Sequence, residues 1–200
     1  MMIKRVQTYL PHFAGAAALF ALAACSSAPA RQADIYYDLR PTIAPVSFAS
    51  NDTLEIQSVT VKGLQSARSL VIETGKSPVQ YQEVRGHLWH VAPSNLIERA
   101  VTDALSTASQ DMVIGSSQTV DNEDYRLKLT VEKLHFTPSE TAHLDIEAVL
   151  KNKSGKIITT KRYQIAQAIA GSDNQAAVMA LEMALADMIG ELAKDIRAAL

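Results

Sequence analysis

The sequence is poor in cysteine, has no excess of basic charge, and contains no apolar run long enough to cross a membrane as a helix. One cysteine in 200 residues excludes disulfide bonds within the chain and every metal site built from several cysteines. Its 19 basic side chains stand against 21 acidic ones, so the chain lacks the basic surface that nucleic acid requires. The rest is a globular composition, because 48% hydrophobic residues with 8 Gly and 7 Pro predict a packed core.

The amino terminus has the pattern of a secretory signal peptide. Lys4 and Arg5 form a short basic start. Residues 13–22 form an apolar run of about ten residues, whereas a spanning helix needs about twenty. We therefore predict that residues 1–24 are removed after export. Loss of Lys4 and Arg5 from the 19 basic residues leaves 17 against 21 acidic ones, a formal charge of −4.

The segment Leu22-Ala23-Ala24-Cys25 resembles a bacterial lipobox, with Leu three positions before the cysteine and small residues directly before it. The peptidase needs small residues there to hold the backbone extended, and the cysteine thiol then carries a diacylglyceryl group. We predict Cys25 as the lipid attachment site. The alternative is an incidental cysteine in a signal peptide cut elsewhere. An Asp at the next position commonly signals retention in the inner membrane, so Ser26 favours the periplasmic leaflet of the outer membrane.

Residues 25–34 are expected to form the lipidated amino terminus and a flexible tether. The segment is small and polar without a hydrophobic period, and nine extended residues reach at most about 30 Å. The rest of the sequence shows no internal repeat and no change of composition, so residues 35–200 are expected to form a single domain. β-forming residues predict strands over residues 35–39, 54–61, 69–74, 79–91 and 156–168, with a loop over 62–68.

Two stretches have the period of amphipathic helices. The first runs from Pro93 to near Ser109, and Asn95 with Glu98 fits a capping box. The second is a long closing helix, for which residues 172–175 fit a capping box and whose apolar stripe comprises Val178, Leu181, Leu185, Met188, Leu192 and Ile196. Two helices separated by runs of strands predict an α+β fold, with a single, largely antiparallel sheet and both amphipathic helices packed on one face.

The stretch from residue 125 to residue 150 predicts a β-hairpin in detail. Its apolar positions are odd up to Val131 and even from Leu134, so the phase slips at residues 132–133, which indicates a β-bulge. The return strand keeps one phase after a turn at residues 137–140. The register that puts every apolar side chain on one face pairs Phe136 with Ala142, Leu134 with Leu144, Val131 with Ile146, and Leu129 with Ala148.

The same register makes His135 and His143 cross-strand neighbours on the outer face of the hairpin, away from the core. Asp145 and Glu147 are the nearest further metal ligands on that face, but a zinc site needs at least three well-placed protein ligands. We favour two solvated polar residues on an exposed strand face. The sequence therefore predicts no metal and no cofactor.

No pattern of catalytic residues stands out. Gly75-Lys76-Ser77 resembles the end of a P-loop, but Leu70 stands where the motif needs its first glycine. Residues 115–117 do not fit a nucleophile elbow and are better explained by a turn. We therefore predict that the protein is not an enzyme.

Three aromatic residues are candidates for the core or for a contact surface. Trp89, the single tryptophan, is expected in the core. Tyr36 and Tyr37 are adjacent in a strand, so their side chains point to opposite faces and at least one is available at a surface. Because tyrosine is favoured at protein interfaces, we predict Tyr36 and Tyr37 as candidate partner contacts.

In their order and spacing, these signals resemble the ABC-type transport auxiliary lipoproteins, the PqiC-like family. The shared signals span nearly the whole mature chain and are the lipobox, the short tether, Tyr36-Tyr37-Asp38-Leu39, Trp89 followed by Pro93 and Leu96, Asp124-Tyr125-Arg126-Leu127, and the alanine-rich closing helix. One segment departs from the family pattern. Where the family often has a Pro and an aromatic residue before an Arg, this chain has Gly63 and Leu64 before Arg68, so the resemblance assigns no role to that loop.

The resemblance implies a non-catalytic outer-membrane lipoprotein that works with an inner-membrane ABC permease, its ATPase and an MCE-domain protein. Such systems are expected to move lipids or other apolar compounds across the periplasm, and the family leaves room for a homo-oligomer. A second class stays open, because a structural or assembly lipoprotein, such as a pilot for another envelope complex, would share the anchor and a similar domain. A gene cluster encoding an ABC permease and an MCE protein would distinguish the two.

Overall fold

The computed structural model describes residues 33–48 and 51–200. The predicted signal peptide, Cys25 and most of the predicted tether lie outside the described residues. Residues Asp34–Leu200 form one compact unit. In chain order its elements are β1 (Ile35–Tyr37), β2 (Thr53–Val61), a 3-10 helix (Gly63–Ser66), β3 (Ser69–Lys76), β4 (Val79–Trp89), α1 (Pro93–Ala108), β5 (Val113–Ser116), β6 (Tyr125–Thr137), β7 (Thr141–Asn152), β8 (Ile157–Ala168) and α2 (Asn174–Ala199).

Strand β6 organises an eight-stranded mixed sheet. Along one edge it pairs antiparallel with β7, which pairs antiparallel with β8. Two strands share its other edge, because β2 pairs parallel with its first half and Ile72 of β3 pairs parallel with Phe136 near its end. We call the strands β2 and β5 the first wing, and the strands β3, β4 and β1 the second wing.

The predicted α+β class is confirmed, but the expectation of a largely antiparallel sheet is wrong in part, because the sheet is mixed. The pairs β1–β4, β2–β5, β2–β6 and β3–β6 are parallel. A hairpin turn marks an antiparallel pair in a sequence, whereas parallel strands need long connections. Since β3, β4, α1 and β5 all lie between β2 and β6 in the chain, the pairing of β2 with β6 has no local signal.

The predicted hairpin of β6 and β7 is confirmed in register and in its bulge. Phe136 faces Ala142, Leu129 faces Ala148, and the register shifts between Val131 and Lys133. The apolar residues of the predicted common face, from Leu127 to Phe136 and from Ala142 to Leu150, are at most 3% exposed, because the bulge restores that face after the slip in phase.

The turn predicted over residues 115–117 is wrong in its first half, because Val113–Ser116 form the edge strand β5. This strand pairs parallel with the start of β2. A Cβ at Gly115 would lie 2.6 Å from Val120 Cγ2, so the turn after β5 packs directly against the glycine backbone. The close approach explains why a glycine stands inside this short strand.

Both helices begin differently from the predicted capping boxes. Helix α1 begins at Pro93 with Ala92 as N-cap and no capping side chain, and Pro93 itself has no N–H, which removes one of the amide donors that a cap would satisfy. Asn95 and Glu98 therefore do not form the predicted box. Helix α2 is capped by Asp173, whose Oδ1 accepts a hydrogen bond from the Ala176 amide at 2.8 Å.

One hydrophobic core contains side chains of the sheet and of both helices. Trp89 is 2% exposed, which confirms its predicted core position. The predicted stripe of the closing helix is buried throughout and comprises Val178, Leu181, Leu185, Met188, Leu192 and Ile196. That both helices cover the same face of the sheet stays a prediction.

Candidate functional site

The sheet ends on the second wing in β1, a three-residue strand that pairs parallel with β4. The Tyr37 carbonyl accepts a hydrogen bond from the His90 amide at 2.7 Å. In a parallel strand, successive residues direct their backbone groups to opposite sides. The backbone N–H and C=O of Tyr36 therefore point away from β4, towards the free edge of the sheet.

The structure places Tyr36 and Tyr37 on opposite faces of β1. Tyr37 packs against the core, its hydroxyl lies 2.9 Å from His87 Nδ1, and the two rings stack with their centroids 5.8 Å apart. Burial raises the pKa of Tyr37, and the negative charge of Asp173 raises it further, so the phenol is neutral at ordinary pH. Tyr36, by contrast, is 54% exposed on the outer face.

The Tyr36 ring stacks on the guanidinium group of Arg68, whose Cζ lies 5.7 Å from the ring centroid. Arg68 donates from Nε and Nη2 to the Trp89 carbonyl at 3.2 and 3.1 Å, and from Nη2 to the His90 carbonyl at 2.7 Å. Its own carbonyl accepts from the Trp89 amide at 2.6 Å. Arg68 thus connects the loop before β3, the end of β4 and the ring of Tyr36.

Sequence reasoning missed Arg68. The partners of its guanidinium are backbone carbonyls 21 and 22 residues further along the chain, and a backbone carbonyl leaves no trace in a sequence. The one feature of the sequence that could have pointed to Arg68 is its position at the end of the predicted loop, directly before β3. The resemblance assigned no role to that segment.

His135 and His143 face each other across the hairpin, as predicted, with ring centroids 5.2 Å apart. The expectation that both are solvated is wrong, because His135 is only 1% exposed. The ring edge of Tyr81 and the side chain of Gln65 cover it, and its Nε2 lies 3.0 Å from Glu73 Oε2. Burial lowers the pKa of His135 and the charge of His143 lowers it further, against the opposing effect of Glu73.

Asp145, a candidate metal ligand of the sequence analysis, is engaged within the sheet. Its carboxylate is 1% exposed and accepts two hydrogen bonds from Arg162, each 2.7 Å long, and one from Gln164 at 2.9 Å. The bonds from Arg162 hold the pKa of Asp145 below its usual range. Among the residues that the structure describes, no three His, Cys, Asp or Glu side chains are grouped to hold a metal ion.

A cleft of about 730 Å³ lies between residues 42–46, β8 and α2. Its charged lining consists of Asp187, Glu191, Lys194 and Arg197 of α2. A second cleft, of about 410 Å³, lies between residues 38–43 and α1. Neither cleft is lined by a histidine or a cysteine. The candidate contact residue Tyr36 lies outside both clefts, beside Arg68 at the edge of the sheet.

The described residues thus form an α+β domain whose edge strand presents an exposed tyrosine beside an arginine held by backbone carbonyls. The family is more specific, because residues 37–193 match the family model described as the ABC-type transport auxiliary lipoprotein component. The chain belongs to this family, as its sequence signals predicted. The match covers β1 from Tyr37, all later strands and most of α2.

Two solved structures share the fold. A crystal structure titled as that of an uncharacterized protein has a TM-score of 0.72 at 18% identity, covering 82% of this chain and 99% of that chain. A Xanthomonas campestris protein of family model DUF330 has a TM-score of 0.69 at 16% identity, covering 82% and 96% of the two chains. At these identities the similarity shows the fold alone. No curated protein matches the sequence.

Within the described ranges, no helix combines the length and the apolar character needed to cross a membrane.

Proposed function

We propose that this protein is a non-catalytic outer-membrane lipoprotein that serves as the auxiliary component of an MCE-type ABC transport system for lipids or other apolar compounds. The observation that carries the proposal is the family match over residues 37–193. Its partners are the MCE-domain protein, the ABC permease and the ATPase of the same system. The protein acts by binding these partners, and the apolar cargo is moved by the transport system as a whole.

The anchor is the Cys25 of the lipobox, with Ser26 directing the protein to the outer membrane. Burial of the attached acyl chains contributes about 0.8 kcal/mol per methylene, so two or more chains hold the protein firmly. The tether between Cys25 and Ile35 reaches at most about 30 Å. The anchor therefore keeps β1, the first strand, close to the inner surface of the outer membrane.

The candidate contact with the MCE-domain protein is the edge of the sheet at Tyr36 and Tyr37. Tyr36 supports this assignment with an aromatic ring that is 54% exposed and a backbone edge that is open to a partner strand. Tyr37 contributes its hydrogen bond to His87, which fixes the strand beneath that edge. Aromatic residues at protein interfaces contribute more binding energy than the charged residues that cover most other surfaces.

The anchor is tested by replacing Cys25 with Ala and following the protein through membrane fractionation. We expect unprocessed precursor to accumulate, because the peptidase acts after the thiol has received its lipid. A Ser26→Ala variant serves as control and should be processed as the wild type is. Normal processing and normal membrane retention of Cys25→Ala would overturn the lipoprotein assignment.

The contact is tested by co-purifying the MCE-domain protein with the wild type and with Tyr36→Ala and Tyr37→Ala. A matched control is Ile157→Ala on β8, which removes a side chain with the same 54% exposure from the opposite edge of the sheet. We expect loss of the partner with Tyr36→Ala and full recovery with Ile157→Ala. Full recovery with both tyrosine variants would discard the contact surface. If the folded wild type associates with no MCE or permease component, the transport proposal itself is overturned.

A further inference from the structure

We propose that Arg68 positions Tyr36 for docking, and that the Tyr36–Arg68 pair binds a carboxylate of the partner protein. The inference rests on the proposed function, since it takes the edge of the sheet at β1 as the docking surface. It adds the residue that organises this surface and the chemical group that the surface receives.

The guanidinium of Arg68 is fixed by a rigid frame. It donates to the carbonyls of two consecutive residues, Trp89 and His90, at 2.7 to 3.2 Å. The Trp89 side chain is 2% exposed and belongs to the core, so the frame cannot shift without disturbing the core. A planar group held at three points keeps its orientation at the protein surface, which the flexible ammonium group of a lysine would not do.

This fixed guanidinium in turn orders the Tyr36 ring. With 54% of its surface exposed, Tyr36 has too few protein neighbours for burial alone to hold it in one rotamer. The stack on Arg68, with Cζ 5.7 Å from the ring centroid, selects the rotamer that lies along the outer face. A side chain that is ordered before binding loses less entropy when the partner docks. Arg68 is therefore a positioning residue for Tyr36.

The pair also presents hydrogen-bond donors towards solvent. Within the described ranges, Arg68 uses Nε and Nη2 for its hydrogen bonds, and neither its Nη1 nor the Tyr36 hydroxyl is bonded to the protein. Both residues are exposed, so these donors are open to a ligand. The Nη1 of Arg68 offers two N–H donors on a positively charged group, and together with the Tyr36 hydroxyl these donors can bond the oxygens of a carboxylate. The complementary partner segment carries an Asp, a Glu or a terminal carboxylate beside an apolar side chain that covers the Tyr36 ring.

The test measures the affinity of the full-length lipoprotein for the periplasmic part of the MCE-domain protein encoded in the same gene cluster. Arg68→Lys keeps the charge but loses the planar stack, and we expect the affinity to fall about tenfold. In a Tyr36→Ala background, Arg68→Lys should alter the affinity by less than about twofold. The ring that Arg68 positions is then absent, and the lysine still supplies the positive charge. Arg85→Lys, a change at an exposed arginine of β4, is the matched control and should leave the affinity unchanged.

The carboxylate is tested with Tyr36→Phe, which keeps the ring and removes the hydroxyl. We expect a loss of about fivefold, and we expect added salt to weaken the wild type more than Arg68→Gln. An Arg68→Lys variant that binds as the wild type does overturns the positioning role. An equal loss in the wild-type and Tyr36→Ala backgrounds, together with a lower thermal midpoint, overturns it as well and assigns Arg68 a purely structural role.

A wild type that associates with no MCE component overturns the proposed function and this inference with it. A wild type that associates with unchanged affinity in all the variants overturns this inference alone. Equal salt dependence of the wild type and Arg68→Gln, with Tyr36→Phe unchanged, discards the carboxylate and leaves the positioning role to be decided by Arg68→Lys.

Discussion

Replacing Arg162 with Ala should lower the free energy of unfolding by about 2–3 kcal/mol, because it strips a buried carboxylate of two charge-assisted hydrogen bonds. Asp145 is 1% exposed and accepts three hydrogen bonds, two of them from Arg162. Breaking a fully buried ion pair costs about 3–5 kcal/mol. The Arg162 side chain is 53% exposed, so water can replace part of what it donates, and the lower figure applies.

The same substitution should change how stability depends on pH. The hydrogen bonds from Arg162 lower the pKa of Asp145 in the folded protein, below the value of about 3.9 expected in the unfolded chain. Between the folded and the unfolded pKa of Asp145, the folded state then binds fewer protons than the unfolded state does. The contribution of Asp145 to the free energy of unfolding is therefore fully present above its unfolded pKa, and it is lost as the pH falls through its folded pKa. Arg162→Ala should therefore flatten the loss of stability between about pH 5 and pH 2.

Urea unfolding at neutral and at acidic pH measures both effects, and a thermal midpoint lowered by about 4–12 °C should accompany them. The conservative control is Arg162→Lys, which keeps the charge but cannot donate two parallel bonds. The free energy of unfolding of Arg162→Lys should lie between that of the wild type and that of Arg162→Ala. A change in the unfolding free energy below about 0.5 kcal/mol, or an unchanged slope at acidic pH, would refute the reasoning.

Two further predictions concern glycine and histidine. Gly190→Ala should raise the free energy of unfolding by about 0.5–1 kcal/mol, since a Cβ there meets nothing within 4 Å. Gly115→Ala should lower it by about 1–3 kcal/mol, since a Cβ there would collide with Val120. Chemical denaturation measures both changes. Burial lowers the pKa of His135, so stability should fall as the pH drops below about 6.5, and His135→Gln should flatten this dependence in thermal melts.

The β6–β7 hairpin shows what a sequence can specify. Alternation has a period of two, so a single slip between Val131 and Leu134 locates the bulge, and the bulge then determines every later pair. The pairing of β2 with β6 and the strand β5 had no such signal. They depend on contacts between residues far apart in the chain, and β5 is too short for an alternation to emerge.

The candidate site could be predicted in part. Alternation along β1 places Tyr36 and Tyr37 on opposite faces, which the structure bears out, but it does not say which one is exposed. That choice is made by the register of β1 against β4, where Tyr37 lies beside the buried Trp89. The burial of His135 was missed for a similar reason. Gln65 and Tyr81, which cover it, come from segments 54 to 70 residues away, so the hairpin alone suggests an open face.

The narrow junction between the second wing and β6 has a consequence for how the molecule fluctuates. The register joins β3 to β6 through the single pair Ile72 and Phe136, whereas β7 is joined to β6 along its whole length. Amide hydrogens of the β6–β7 ladder should therefore exchange with solvent only when the whole domain opens, while those of β1, β3 and β4 exchange through smaller, independent openings. Tyr36 lies in this looser cooperative unit, so the docking surface should open together with β1, β3 and β4 and independently of the β6–β7 ladder.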